Sequence, residues 1–218
     1  MELKVPTKIN DIPLQEYQRF AKVNVPDADQ EFLLHKTIEI FCEVDIRDVA
    51  KLPVKLAAEL NEEITAVLNE SVAFTTRFEM GGIEYGFIPD LEKMTLGEYI
   101  DLEEGLRDPA SFHKAAAVMF RPVKKSFKEL YTIEPYTADL TAHEAMKNAP
   151  LGVISAAVVF FYSIVNELQA ASLVYSKKLM QENKTTLEEG SLPLSGDGLQ
   201  AFTDLLKEIL PNTEQSQR

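Results

Sequence analysis

The chain has 218 residues, with 22 basic and 35 acidic side chains and a formal net charge of −13. Hydrophobic residues make up 45% and charged residues 26%, which excludes collagen-like, disulfide-framework and wholly disordered chains and leaves one domain or two small ones. A single cysteine, Cys42, excludes an intramolecular disulfide and a cysteine-only metal cluster, and the acidity argues against non-specific binding to nucleic-acid phosphates.

The start, Met1-Glu2-Leu3-Lys4-Val5-Pro6, has no basic stretch followed by an apolar run, so no signal peptide is expected. A first helix follows Ile12-Pro13, with Leu14, Tyr17, Phe20 and Ala21 on one face. A second starts near Asp27 or Asp29 and runs to about Glu43, its apolar face widened by Ile38, Phe41 and Cys42. Ile46 and Val49 suit a short helical turn. Val54 to Glu70 carries the stripe Leu56, Leu60, Ile64, Val67 and Leu68, which predicts a third helix.

At Phe74 the period changes. Phe74, Thr76, Phe78 and Met80 alternate with Thr75, Arg77 and Glu79, and Ile83, Tyr85 and Phe87 alternate with Glu84, Gly86 and Ile88. Gly81-Gly82 between them predicts a two-residue hairpin turn. Thr95 and Glu98 form a capping box, opening a helix that carries Tyr99, Leu102 and Leu106. Asp108-Pro109 restarts a helix through Phe112, Ala116, Met119 and Phe120, which Arg121-Pro122 ends. Lys124 to Glu134 is expected to hold a short strand or an extended arm at Leu130–Ile133. Thr141 is expected to cap a short helix to about Asn148.

The most apolar stretch is Val153–Val165, VISAAVVFFYSIV, thirteen residues without a charge. That is short for a bilayer span and typical of a buried core helix, so no membrane crossing is expected. The helix is predicted over 151–183. Apolar residues on every side imply all-round burial, with Phe160→Ala costing about 3–5 kcal/mol if that ring is fully buried. The fold class is therefore mainly α with a minor β part. One helical domain over 1–184 holds the hairpin around 74–88. A polar, Gly-containing linker spans 185–198, a short amphipathic helix 199–210, and a tail that should fray 211–218.

Motifs for chemistry are sparse. The dinucleotide, phosphate-loop and nucleophile-elbow glycine patterns do not occur, and His143-Glu144 lacks the second histidine of a zincin. His35, His113 and His143 have no ligand spacing and read as helix-face residues. Asp101, Glu103, Glu104 and Asp108 form the densest acidic group, but a solvated helix face explains them better than acid/base work or calcium binding. Cys42 lies in an apolar run, which favours a buried structural thiol over a nucleophile. Arg121, Lys124, Lys125 and Lys128 are the single basic cluster, beside Phe120, Phe127 and Tyr131. Single-strand nucleic acid is one reading, but a protein contact or solvated patch suits the overall acidity better. No catalytic, cofactor or metal residues are assigned.

One internal echo is visible: Ile12–Tyr17, IPLQEY, resembles Met94–Tyr99, MTLGEY, most simply as two similar helix starts.

Several longer strings carry a wider likeness: FEMGGIEYGFIPDL at 78–91, MTLGEYIDL at 94–102, FHKAAAVMFRPV at 112–123, YTIEPY at 131–136 and APLGVISAAVVFFYS at 149–163, with VPTKINDIPLQEY at 5–17. Together, over 78–166, they resemble bacteriophage proteins encoded among virion and tail-assembly genes. The layout, a small acidic helical chain with a hairpin feeding a T-x-x-E helix, also resembles tail assembly chaperones. The resemblance implies a morphogenesis protein that binds tape-measure, tube or baseplate proteins in the host cytoplasm without catalysis. The alternative is a permanent virion component of the tail, connector or baseplate. It implies no site residues, cofactor or metal, and a homo-oligomer is compatible with it. Competing readings are an enzyme whose site no motif marks and a membrane protein. Leu199, Phe202, Leu205, Leu206 and Ile209 stripe the C-terminal helix, which either docks in a partner's groove or packs back on its own domain.

Overall fold

Short acidic and hydroxyl side chains start the helices by accepting orphan backbone N–H groups. In the computed structural model, which describes residues 3–128 and 130–164, Asp29 accepts from the Phe32 N–H, Asp45 from Arg47 and Thr95 from Glu98. These caps open α2 (Gln30–Phe41), α3 (Ile46–Val49) and α5 (Leu96–Leu106). Pro13 and Pro53 precede α1 (Leu14–Ala21) and α4 (Val54–Leu68). The strands are β1 (Arg77–Met80), β2 (Ile83–Phe87), β3 (Phe120–Phe127) and β4 (Leu130–Ile133). The other helices are α6 (Phe112–Met119), α7 (Leu140–Met146) and α8, covering 151–164. The architecture is mainly helical with one small antiparallel sheet, as the periodicities predict. Among the described residues, no helix is long and apolar enough to cross a membrane.

The Gly81-Gly82 turn is as expected. Both glycines have positive φ, +60° and +76°, and Met80 pairs with Ile83 across a two-residue loop. The ladder starts at Arg77, not Phe74. Phe74 leaves the strand to stack on Phe160, ring centroids 4.2 Å apart, and to meet the Phe87 ring edge-on.

The sheet is larger than a hairpin. Its order is β1-β2-β3-β4, so β3 is an inner strand. The sequence predicted helix through Phe120, but α6 stops at Met119 and the chain turns directly into β3. Pro122 explains the switch, because it pushes Arg121 into the extended region. The proline is tolerated inside a sheet for a geometric reason. Its carbonyl accepts from the Glu134 N–H at 2.9 Å, so its ring nitrogen also points toward β4, just where that ladder ends. A register shift between Val123 and Lys125 then re-aims the outer half of β3.

A second correction concerns α7. Thr141 is not the cap; Asp139 accepts the Thr141 N–H at 3.0 Å, and Thr141 lies inside the helix. The chain then pairs with its own beginning. Leu14 N–H donates to Ala149, Gln15 N–H to Lys147, and Leu151 N–H to Ile12. This clamp leads the apolar helix into the core, where a Cβ on Gly152 of α8 would lie 2.6 Å from Ile9 Cγ2. Gly105 sets a further close approach: a Cβ there would lie 2.6 Å from the Ala115 backbone nitrogen, so α5 can meet α6 only without a side chain.

The core gathers Leu14, Ile38, Ile64, Leu102, Val118, Phe120 and Ile154. Residues Ile154, Ala157 and Phe161 of α8 are buried, as the core-helix expectation requires. Burial is not all-round, however: Val159 and Tyr162, three residues apart, are exposed. Phe160 is half-buried between these faces and stacked on Phe74. Phe160→Ala is therefore expected to cost about 2 kcal/mol, below the full-burial range. Urea unfolding checks this, and a loss above about 4 kcal/mol on the same scale contradicts the half-buried placement.

The first helix holds an unforeseen feature. Tyr17 and Phe20 are only half-buried, whereas Glu16 and Gln18 are buried. Gln18 Nε2 donates to the carbonyls of Pro109 and Ala110 and lies 2.9 Å from His113 Nδ1, tying α1 to the start of α6. Glu16 is lifted from the ordinary 4.5 to about 7, first by burial and then by the nearby Glu43, against Lys4 and Arg19. A raised acid binds its proton more tightly in the folded state. Its stabilising contribution is full below pH 4.5 and is lost as pH rises through about 7. Glu16→Gln is thus expected to stabilise the fold at pH 8 by about 1–2 kcal/mol, after allowance for solvent screening, and to change little at pH 4. Melting temperatures at the two pH values test this; equal shifts contradict it.

Candidate functional site

The stripe Leu199, Phe202, Leu205, Leu206 and Ile209 lies outside the described residues. So do the linker over 185–198, the tail over 211–218 and the 165–183 part of the long helix. The remaining candidates have definite places. Cys42 is buried at the end of α2, and burial, then the charges of Glu16 and Glu63, push its thiol up, away from the thiolate a nucleophile needs. Among the described residues no group of three or more His, Cys, Asp or Glu side chains could hold a metal ion. His113 is engaged with Gln18, while His143 Nε2 is buried with no hydrogen-bond partner among the described residues.

The acidic group is divided among separate tasks. Asp101 accepts from the Tyr136 hydroxyl at 2.8 Å, Glu103 pairs with Arg107 at 3.1 Å, and Asp108 accepts the Ala110 N–H at 2.9 Å. Burial and the Asp101 carboxylate hold the Tyr136 phenol above its ordinary range.

The basic cluster is divided as well. Arg121 turns inward and Nη1 meets Glu98 Oε1 at 2.8 Å, with side-chain exposures of 12% and 7%. Glu98 Oε2 accepts the Thr95 N–H at 2.7 Å, so the capping box and the ion pair share one carboxylate. Burial alone would raise the Glu98 pKa. The Thr95 hydrogen bonds and Arg121 outweigh it and hold the carboxyl below its ordinary value. Such a group is a weak proton acceptor near neutral pH. The pair lines an open cleft of about 310 Å³ with Pro89, Met94, Ile133 and Pro135, in which Arg121 Nε has no hydrogen-bond partner among the described residues. A second groove, of about 320 Å³, runs beside α8. Ile9, Val72, Phe74, Ala156, Val159 and Phe160 make it apolar.

Besides Val159 and Tyr162 of α8, two clusters among the described residues present large apolar side chains to solvent. On α5, Leu96, Tyr99 and Ile100 share one face at i, i+3 and i+4 spacing, with Leu96 75% exposed. Glu103 and Glu104 continue that face and are also exposed. The other surface is the arm formed by β3 and β4. Phe127 pairs directly with Leu130 across the ladder, and the two are 71% and 44% exposed. Lys124, Lys125 and Lys128 surround them, all exposed, with Lys128 at φ +56° in the turn. The sequence marked the arm as a basic cluster beside Phe127 and did not mark the α5 face, because an apolar triplet on a helix reads as core until its neighbours are known.

No family model matches the chain, and neither a curated protein nor a solved structure is significantly similar to it.

Proposed function

We propose that this chain is a bacteriophage morphogenesis protein, a tail assembly chaperone that works by binding other proteins and performs no chemical turnover. The reading rests on the resemblance of 78–166, together with 5–17, to phage proteins encoded among tail-assembly genes. The two exposed apolar surfaces support it, since binding needs such patches on a folded body and catalysis does not. Its partners are a tape-measure, tube or baseplate protein in the host cytoplasm. It takes no cofactor or metal and binds neither nucleic acid nor membrane. The stripe Leu199, Phe202, Leu205, Leu206 and Ile209 is the proposed docking element.

Truncation at Glu189 tests that element. The truncated protein is expected to keep its melting temperature and to lose capture of the partner. Retained capture removes the docking role, and a large fall in melting temperature assigns the stripe to the protein's own core.

A permanent place in the virion is the second reading. The exposed apolar tip of the β3–β4 arm, Phe127 and Leu130, favours it, because such a tip suits a lasting contact in an assembly. Mass spectrometry of purified particles separates the two. The chain is expected to be missing from finished particles if it is a chaperone and present in fixed stoichiometry if it is a structural part.

A further inference from the structure

We infer that the β3–β4 arm of one copy docks on the exposed α5 face of a second copy, a head-to-tail contact that builds a ring or a filament. The inference stands apart from the phage reading and rests on two complementary surfaces of one molecule.

The arm is a two-stranded ribbon beyond the Val123/Lys125 register shift. Tyr131 closes one face onto the sheet, its hydroxyl donating to the Phe87 and Thr76 carbonyls at 2.8 and 3.3 Å, and the opposite face is left uncovered. Its outer face carries an apolar pair, Phe127 and Leu130, ringed by Lys124, Lys125 and Lys128 in a chain of net charge −13. The α5 face has a net acidic rim around the same kind of centre: Leu96, Tyr99 and Ile100, bordered by exposed Glu104 and by Glu103, which pairs with Arg107 at 3.1 Å. An apolar centre with a basic rim fits an apolar centre with an acidic rim, and like rims would repel.

The two do not cover each other within one molecule, since both are exposed. The arm is anchored at Arg121, which pairs with Glu98 on the buried side of α5. Six residues of extended chain then carry Phe127 roughly 20 Å from that anchor. Each copy therefore offers one arm and keeps one α5 face open. The contact is heterologous, so it propagates until rotation closes a ring or leaves a filament. A hairpin tip buries little area, so association with a Kd of about 10–100 μM is expected.

The test uses the full chain. Light scattering at about 100 μM protein, in the range where small interfaces become populated, is expected to give a mass above the 24.5 kDa monomer that falls as salt rises. Phe127→Asp and Ile100→Asp are each expected to return the monomer without changing the melting temperature, since both side chains are exposed. Mixing the two variants leaves one good arm and one good face. The expected product is a dimer and nothing larger. Should the aspartates unfold the protein, Lys125→Glu and Glu103→Lys serve instead, each breaking assembly alone and restoring it when combined in one chain. A wild-type monomer at that concentration overturns the inference. So does a mixture that stays monomeric, as a hairpin-to-hairpin contact would. Assembly that appears only after truncation at Glu189, or that nuclease abolishes, overturns it too, because the arm's occupant is then the chain's own tail or nucleic acid.

Discussion

Phe120→Ala is expected to cost about 3–5 kcal/mol, the range for emptying a large aromatic site in a core. Phe120 is 1% exposed and stands where α6 becomes β3. Its ring meets Phe78 and Phe87 edge-on, at centroid separations of 5.1 and 5.4 Å. These contacts bind three neighbouring strands beneath α8, through the Phe74, Phe87 and Phe160 cluster. The cavity is bounded by hydrogen-bonded strands, which limits collapse. Urea unfolding at neutral pH measures the loss. A value under about 1 kcal/mol contradicts the central place given to this ring.

Arg121→Met is expected to cost about 3 kcal/mol at pH 7, because it leaves Glu98 buried and without its counter-charge. Glu98 is 6% exposed, and the Thr95 N–H remains as its partner, which keeps the loss at the lower end of the range. The pH dependence identifies the cause. In the native protein Glu98 titrates below its ordinary 4.5. A depressed acid adds stability above its unfolded pKa, and that stability is lost as pH falls through the folded value. Without Arg121 its lowering effect is lost and the folded Glu98 pKa rises. The deficit of Arg121→Met is then largest near neutrality and shrinks toward pH 4. An equal deficit at pH 7 and pH 4.5 would show that the introduced methionine merely packs badly. Adding Glu98→Gln to the variant is expected to recover part of the loss, the mark of a coupled pair.

The sequence was most legible where local chemistry has one good solution. Gly81-Gly82 admits positive φ twice and so marks the hairpin. Thr95 with Glu98 can satisfy two orphan amides reciprocally and so marks the start of α5. Tertiary pairing hid the rest. Pro122 reads as a terminator, and only the end of the β4 ladder beside it reveals that a strand can hold it. The arm's turn carries no glycine signal, because Lys128 itself adopts φ +56°. The echo between Ile12–Tyr17 and Met94–Tyr99 marks two helix starts, but Leu14 is fully buried and Leu96 is exposed. A local motif fixes where a helix begins, and packing decides which face is covered.

The same limit applies to the surfaces. Four basic residues close in sequence looked like one patch, yet the extended backbone sends Arg121 inward to Glu98 and the three lysines outward along the arm. The buried pair Glu16 and Gln18 was equally hidden, because only the docking of α1 onto the 109–113 segment gives Gln18 its partners. Exposed Phe127 and Leu130 could not be told from core residues by type alone. Their meaning comes from what lies opposite them, which no single-chain pattern encodes.

The most direct test of the proposed role places an early stop codon in the gene for this chain, in the phage proposed to carry it, and examines the lysates by electron microscopy. The expected result is filled heads with absent or incomplete tails, corrected when the full chain is supplied from a plasmid. Normal, infectious tailed particles would contradict a role in tail morphogenesis.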